Sequence, residues 1–257
     1  MGKTGSYSNK QYTTTAIHGD NAYPDENGKS LTDGEIANTD ATYSNVAFVG
    51  FNAQTDDYKR DGYASITVDL GKAYDLNQFK TYLASENDAN IGAGVRLPSY
   101  VEVLVSTDKA SWKSVGKAYP ESSTSEDCTI AVLNLTTAAS GRYIQYRIVS
   151  EKNWIMISEV KAYGEAHTHT PANTWSTDKN NHWKECACGE DMNKAAHTAG
   201  DWVVVTPATT EKAGEQVKKC TVCEYILETK EIPKLEDEIP DPKPEPKPEI
   251  MLGDVND

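Results

Sequence analysis

Two close cysteine pairs, Cys186-Ala-Cys188 and Cys220-Thr-Val-Cys223, stand among histidines at 167, 169, 182 and 197. Four of the five cysteines and four of the five histidines fall between residues 165 and 235. Such residues bind metal, form disulfides or carry nucleophilic and redox chemistry. Their chemistry has three readings here, and the residue types leave them open. Cys186, Cys188, Cys220 and Cys223 could hold one tetrahedral zinc, as paired half-sites from distant hairpins do. They could form disulfides, given an extracellular setting. Thiolates could also share a site with one or two histidines. All three are structural roles. A redox role needs Cys-x-x-Cys opening a helix beside a βαβ unit, and no such pattern surrounds these pairs.

Catalytic constellations are missing elsewhere too. There is no nucleophile elbow and no His-Glu-x-x-His. Asn27-Gly-Lys-Ser30 imitates a phosphate loop, but Tyr23 stands where its first glycine belongs. The acids show no matched general acid and base pair. Cys128 lies far from the other cysteines and reads as a small buried residue. The chain is therefore expected to be non-catalytic.

The elements that position these groups read as strands. Ile66, Val68 and Leu70 alternate, as do Val101, Val103 and Val105, and Ile144, Tyr146 and Ile148. A period of two marks half-buried strands. Asn27-Gly28, Asp33-Gly34, Asp61-Gly62 and Ser140-Gly141 mark turns between them. No helical period persists for three turns. The expected fold is all-β: an antiparallel sandwich over residues 1–164, then a small Cys/His-rich β module over 165–235. Such a module is too short for a large apolar core and needs disulfides or metal. Residues 236–251 form a Pro-rich linker with proline at every second position from Pro240 to Pro248.

Composition narrows the partners. The 257 residues carry a formal net charge of −14, and 38% of them are hydrophobic. An acidic surface repels phosphate backbones and anionic membranes, so neither nucleic acid nor a membrane is an expected partner. No apolar run reaches the ~18 residues of a transmembrane helix. The first residues lack the apolar core of a signal peptide. The chain reads as a piece of a longer protein.

The order of several motifs resembles a known family. Tyr23-Pro-Asp-Glu-Asn-Gly-Lys-Ser-Leu-Thr-Asp-Gly34 precedes Phe48-Val-Gly-Phe51 and Val68-Asp-Leu-Gly71. Gly94-Val-Arg-Leu-Pro98, Val103-Leu-Val-Ser-Thr-Asp108 and Trp112 follow, then Arg142-Tyr143 and Trp154-Ile-Met-Ile-Ser-Glu-Val-Lys-Ala-Tyr-Gly164. Together they resemble the discoidin domain, also called coagulation factor 5/8 type C. Its bacterial relatives include family 32 carbohydrate-binding modules. The resemblance implies an eight-stranded jelly-roll sandwich with a ligand site on the loops at one end. It also implies a galactose- or N-acetylhexosamine-containing glycan as ligand.

On that reading Trp154 is the stacking platform, with Asn153, Arg96 and Asn90 as hydrogen-bonding groups. The alternatives are a Trp154 that caps the core and an Arg96 that is only solvated. The resemblance further implies a structural calcium near Asp33 and Glu159, with Glu35 or Asp40 helping. Otherwise Glu159 is a buried acid in need of another partner.

Residues 165–235 resemble the cysteine-rich repeats of clostridial-type surface proteins, through His182-Trp183, Cys186, Cys188-Gly189, Ala196-His-Thr198 and Cys220 to Cys223. Glu224 departs from that pattern, because glycine commonly follows the second pair, and this questions the left-handed turn there. Residues 252–257, Leu-Gly-Asp-Val-Asn-Asp, resemble the start of a dockerin, with Asp254 and Asn256 at the first and third calcium-loop positions. A cohesin partner is implied for the parent protein. The expected function is glycan targeting within a secreted, modular glycan-degrading enzyme. The alternative is an adhesion protein at the bacterial cell surface. A monomer is expected.

Overall fold

Gly71, with φ of +84°, turns the corner around which the larger domain is built. Glycine enters this left-handed region without the Cβ clash other residues meet. A computed structural model describes residues 10–15, 23, 25, 28–123, 127–151 and 154–236. The larger domain contains β1 (Tyr12–Thr15), β2 (Val49–Asn52), α1 (Asp56–Asp61), β3 (Ala64–Leu83) and α2 (Asp88–Gly92). It continues through β4 (Tyr100–Ser106), β5 (Lys113–Ala118), β6 (Pro120–Ser123), β7 (Cys128–Val149) and β8 (Trp154–Ala166).

The long strands β3 and β7 each serve both layers of a sandwich. Before the corner, Ala64 to Asp69 pair with Ile148 to Tyr143 of β7, and β1 covers the outer side. After it, Tyr74 to Leu83 pair with β7 on one side and β8 on the other. The register shifts between Asp69 and Tyr74, where the ladder bends. One layer is thus completed by β4 and β5, and the other by β2 and β6. All of these pairings are antiparallel.

The core lies between the layers. Ile66, Val68 and Leu70 meet Val101, Val103, Val105, Ile144, Tyr146 and Ile148 there, all buried. This is the set expected from the period-two pattern. Phe79 packs edge-on against Tyr146, whose hydroxyl donates to the Lys161 carbonyl at 2.9 Å. Truncating one of these large side chains costs roughly 2–5 kcal/mol. Cys128 is buried beside Tyr82 and Ile130, as a packing residue.

The chain divides into two compact units, and the first runs on past residue 164. It extends as far as Thr174 and also includes Lys184–Met192. The reason is local: the His167 imidazole lies 2.7 Å from the Asp75 carboxylate of β3. The second unit takes Trp175–Trp183 and the residues from Asn193 onward. The strands after β8 are β9 (Ser176–Thr177), β10 (Asn181–Glu185), β11 (Asp191–Ala196), β12 (Ala199–Thr206), β13 (Gly214–Cys220) and β14 (Ile226–Ile232). In the second unit β12, β13 and β14 form an antiparallel meander. Among its described residues His182, Gly214, Val217 and Cys220 are buried, so its apolar core is slight, as its length implied.

The linker beyond residue 236 and the dockerin-like end with Asp254 and Asn256 lie outside the described residues. No described helix is long and apolar enough to cross a membrane.

Candidate functional site

Three groups of side chains carry chemistry, and each was partly foreseen. The first lies on the loop that holds α2. Asn87 caps this short helix by accepting the Asn90 amide at 2.9 Å. Asn90 is 0% exposed. Its amide nitrogen donates to the carbonyls of Ala41 and Ser85, and its oxygen accepts the Tyr43 amide at 2.6 Å. A side chain committed in this way braces the loop. That removes Asn90 from the expected ligand-binding set.

The same loop carries Arg96 to Trp154. The Arg96 amide donates to the Trp154 carbonyl at 3.0 Å, beside a bridge between Val95 and Trp154. Arg96 Nη1 donates to the carbonyls of Ile91 and Val95. Among the described residues its Nε and Nη2 have no partner. Trp154 is half-buried, with its ring edge-on to Tyr23 at 6.0 Å, and Tyr23 in turn meets Tyr43. It packs against a small cluster that includes Val95 and Met156. Trp154 therefore caps this cluster while remaining half-buried. Asn153 lies outside the described residues.

The second group surrounds Glu159 of β8. This residue is 0% exposed. Its Oε2 accepts the Gly34 amide at 3.2 Å, while Oε1 has no hydrogen-bond partner among the described residues. Burial pushes its carboxyl up to about 7, with the Gly34 amide pulling the other way. Asp33 is adjacent but exposed, and its own carboxylate accepts the Glu35 amide. Glu35 and Asp40 are exposed as well. These four acids do not form a close ligand set by themselves. Any site here depends on Glu159, Asp33 and backbone carbonyls.

The third group is the cysteines and histidines. Among the described residues, two groupings place all their donor atoms within 4.8 Å of one another. One is His167, His169, Cys186 and Cys188; the other is His182, His197, Cys220 and Cys223. Cys186 and Cys188 belong to the first unit, and Cys220 and Cys223 to the second. Each grouping has the composition of the third reading, thiolates that share a site with histidines. Each pair faces two histidines, because the hairpin turn holding the pair closes against a histidine-bearing segment of its own unit.

In the first set, His167 Nε2 is 3.1 Å from Cys186 Sγ, and His169 Nδ1 is 3.2 Å from Cys188 Sγ. In the second, His197 Nδ1 is 3.4 Å from Cys223 Sγ, and His182 Nδ1 is 3.8 Å from Cys220 Sγ. Burial raises the Cys186 and Cys220 thiols, but nearby backbone N–H groups and a histidine outweigh it and hold both below the ordinary value. For Cys186 these donors are the amides of Cys188 and Thr170 with His167; for Cys220 they are the amides of Cys223, Val222 and Thr198 with His197. The sequence had shown the cysteine pairs and had named the histidines as additional ligands. It could not assign each histidine to its pair.

The turns that present the pairs are alike. Gly189 follows Cys188 with φ of +83°, and its amide donates to the Cys186 carbonyl. Glu224 follows Cys223 with φ of +62°, and its amide donates to the Cys220 carbonyl. The left-handed turn questioned at Glu224 therefore forms, with a side chain that strains it.

A family model for the F5/8 type C domain matches residues 11–160. Among solved structures, a family 32 carbohydrate-binding module of a family 31 glycoside hydrolase from Clostridium perfringens is 18% identical. That alignment covers 63% of this chain and 95% of the module, with a TM-score of 0.42. A second C. perfringens module, solved with GalNAc-β-1,3-galactose, is 17% identical over 62% of this chain and 100% of its own, at a TM-score of 0.43. A fucose-binding module from Streptococcus pneumoniae is 17% identical over 62% and 94%, at 0.40. Comparison with curated proteins finds no match.

Proposed function

The chain belongs to the F5/8 type C domain family, and on that premise we propose that its sandwich domain holds a glycan on the loop rim of Trp154 and Arg96. The observation that carries this is the 3.0 Å bond from the Arg96 amide to the Trp154 carbonyl. It joins the backbone of a half-buried tryptophan to that of an arginine whose Nε and Nη2 have no partner among the described residues. A sugar offers the matching chemistry: C–H faces stack on an aromatic ring, and hydroxyls accept from a guanidinium. Glycan sites of this kind bind weakly one at a time, and several modules together supply avidity. A galactose- or N-acetylhexosamine-containing glycan is the proposed ligand class.

The role is targeting. The bond-breaking step is assigned to another domain of a secreted modular enzyme, and a cohesin contact to the parent protein's dockerin, of which residues 252–257 resemble only the start.

Calcium fits the second group. A buried carboxylate oxygen without a partner is costly, and a hard cation bound by oxygens would satisfy it. Glu159 and Asp33 would hold the ion, with backbone carbonyls of the Asp33–Gly34 turn completing its shell. Its contribution would be to fix that turn against β8.

A glycan array with the intact chain tests the function. Binding that disappears in a folded Trp154→Ala variant supports it. Absence of binding to every glycan, with and without calcium, overturns it.

A further inference from the structure

We propose that the chain carries two separate structural zinc centres, one on His167, His169, Cys186 and Cys188, the other on His182, His197, Cys220 and Cys223. The case stands apart from the glycan reading.

The first argument is distance. Zinc sits ~2.3 Å from sulfur and ~2.0–2.1 Å from imidazole nitrogen, which at tetrahedral angles puts N and S about 3.5 Å apart. The four closest N···S distances run from 3.1 to 3.8 Å and bracket that value. An N–H···S hydrogen bond alone accounts for one such pair. It does not account for four donors gathered twice within 4.8 Å.

The second argument is what stands behind the ligands. Imidazoles that bind zinc commonly give their other nitrogen to a carboxylate or a backbone carbonyl, which fixes tautomer and ring direction. Both arrangements occur here. His167 turns Nε2 to Cys186 and Nδ1 to the Asp75 carboxylate at 2.7 Å. Asp75 is itself held by the Ser140 hydroxyl. His197 turns Nδ1 to Cys223 and Nε2 to the Asp178 carbonyl at 2.9 Å.

The third argument is need. The second unit buries little apolar surface, and a module of this size requires a cross-link. Cys186, Cys188, Cys220 and His182 are nevertheless buried. Each set offers four protein ligands, a closed shell of the structural kind with no position reserved for substrate. The first centre would fasten the Cys186–Gly189 turn to the sandwich through His167 and Asp75, within one unit.

Metal content of the full chain, purified under reducing conditions and measured by native mass spectrometry, tests this. Two zinc ions per chain are expected. Cys186→Ser with Cys188→Ser removes one, and Cys220→Ser with Cys223→Ser removes the other. Asp75→Asn, which deletes no ligand, weakens only the first centre, by ~10–100-fold in chelator competition. If the serine variants fail to fold, cobalt substitution of the intact chain decides. Two cobalt ions with a tetrahedral two-sulfur, two-nitrogen spectrum support the proposal. A single ion with a four-sulfur spectrum overturns it. So does a metal-free chain, whether its cysteines are free thiols or paired as disulfides.

Discussion

The Arg96 amide donates to the Trp154 carbonyl at 3.0 Å, so the start of β8 and the loop after α2 meet through backbone as well as through the packing of Trp154 on the Val95 cluster. Substitution of either side chain keeps that backbone bond available, and thermal unfolding of each variant separates loss of recognition from loss of packing. Trp154→Ala is expected to lose ~1–3 kcal/mol or more of glycan affinity, which for a weak site means no detectable binding. Arg96→Lys should weaken binding as well, because a point-charge ammonium does not reproduce the forked donors. Isothermal titration against the best array ligand measures both.

Asn90→Ala should act differently. It strands the Tyr43 amide and the carbonyls of Ala41 and Ser85 inside the loop. Each unpaired buried group costs ~1–3 kcal/mol unless water reaches it. A loss of several kcal/mol in urea unfolding is expected. Unchanged stability would mean that the amide is not a brace.

Glu159 makes a pH-dependent prediction for the calcium-free chain. Its folded value near 7 lies above the ordinary 4.5. The folded chain thus retains a proton there that the unfolded chain has released, and stability falls as pH rises between the two values. The fall approaches ~3 kcal/mol at ~1.4 kcal/mol per unit of displacement. Glu159→Gln should flatten that slope. Calcium added to the zinc-loaded chain should raise Tm in the parent and not in Glu159→Gln. An identical response in both would remove Glu159 from the site.

Glu224 offers a gain. A non-glycine residue in the left-handed region costs ~1–2 kcal/mol, and Gly189 holds the equivalent place without that cost. Glu224→Gly is expected to stabilise the second unit by up to ~1 kcal/mol, once the greater freedom of unfolded glycine is counted. Thermal melts of the two chains at matched zinc concentration check this. A lower Tm in the variant would show that Glu224 has a compensating contact.

What could be read from the residues divides by range. Ile66, Val68 and Leu70 announce their burial because alternation is a property of one strand, and the same holds for Val101, Val103 and Val105. The corner at Gly71 was not visible as a corner, since it shows only once β3 pairs in both layers. Arg96 and Trp154 were named as candidates, yet their junction depends on where a loop closes. Asn90 was misread for that reason: an amide near a rim can serve a ligand or the loop, and only the partners decide. The cysteines presented the hardest case. His182 lies in sequence between His169 and Cys186 of the other set, so spacing alone favours the wrong grouping.

The bond from His167 to Asp75 bears on the order in which the chain assembles. The second set closes within its own unit, over 26 residues for His197 and Cys223 and 38 for His182 and Cys220, and loop-closure entropy grows only slowly with such lengths. The first set gains its orienting carboxylate only after β3 has found β7 and β8, pairings between residues as distant as Ala64 and Ile148. Such distant pairings form slowly. Loading should therefore proceed in two phases, a rapid one at His182, His197, Cys220 and Cys223 and a later one paced by the sandwich. The His167 centre would then act as a timer, reporting by its occupancy that the neighbouring sheet is complete.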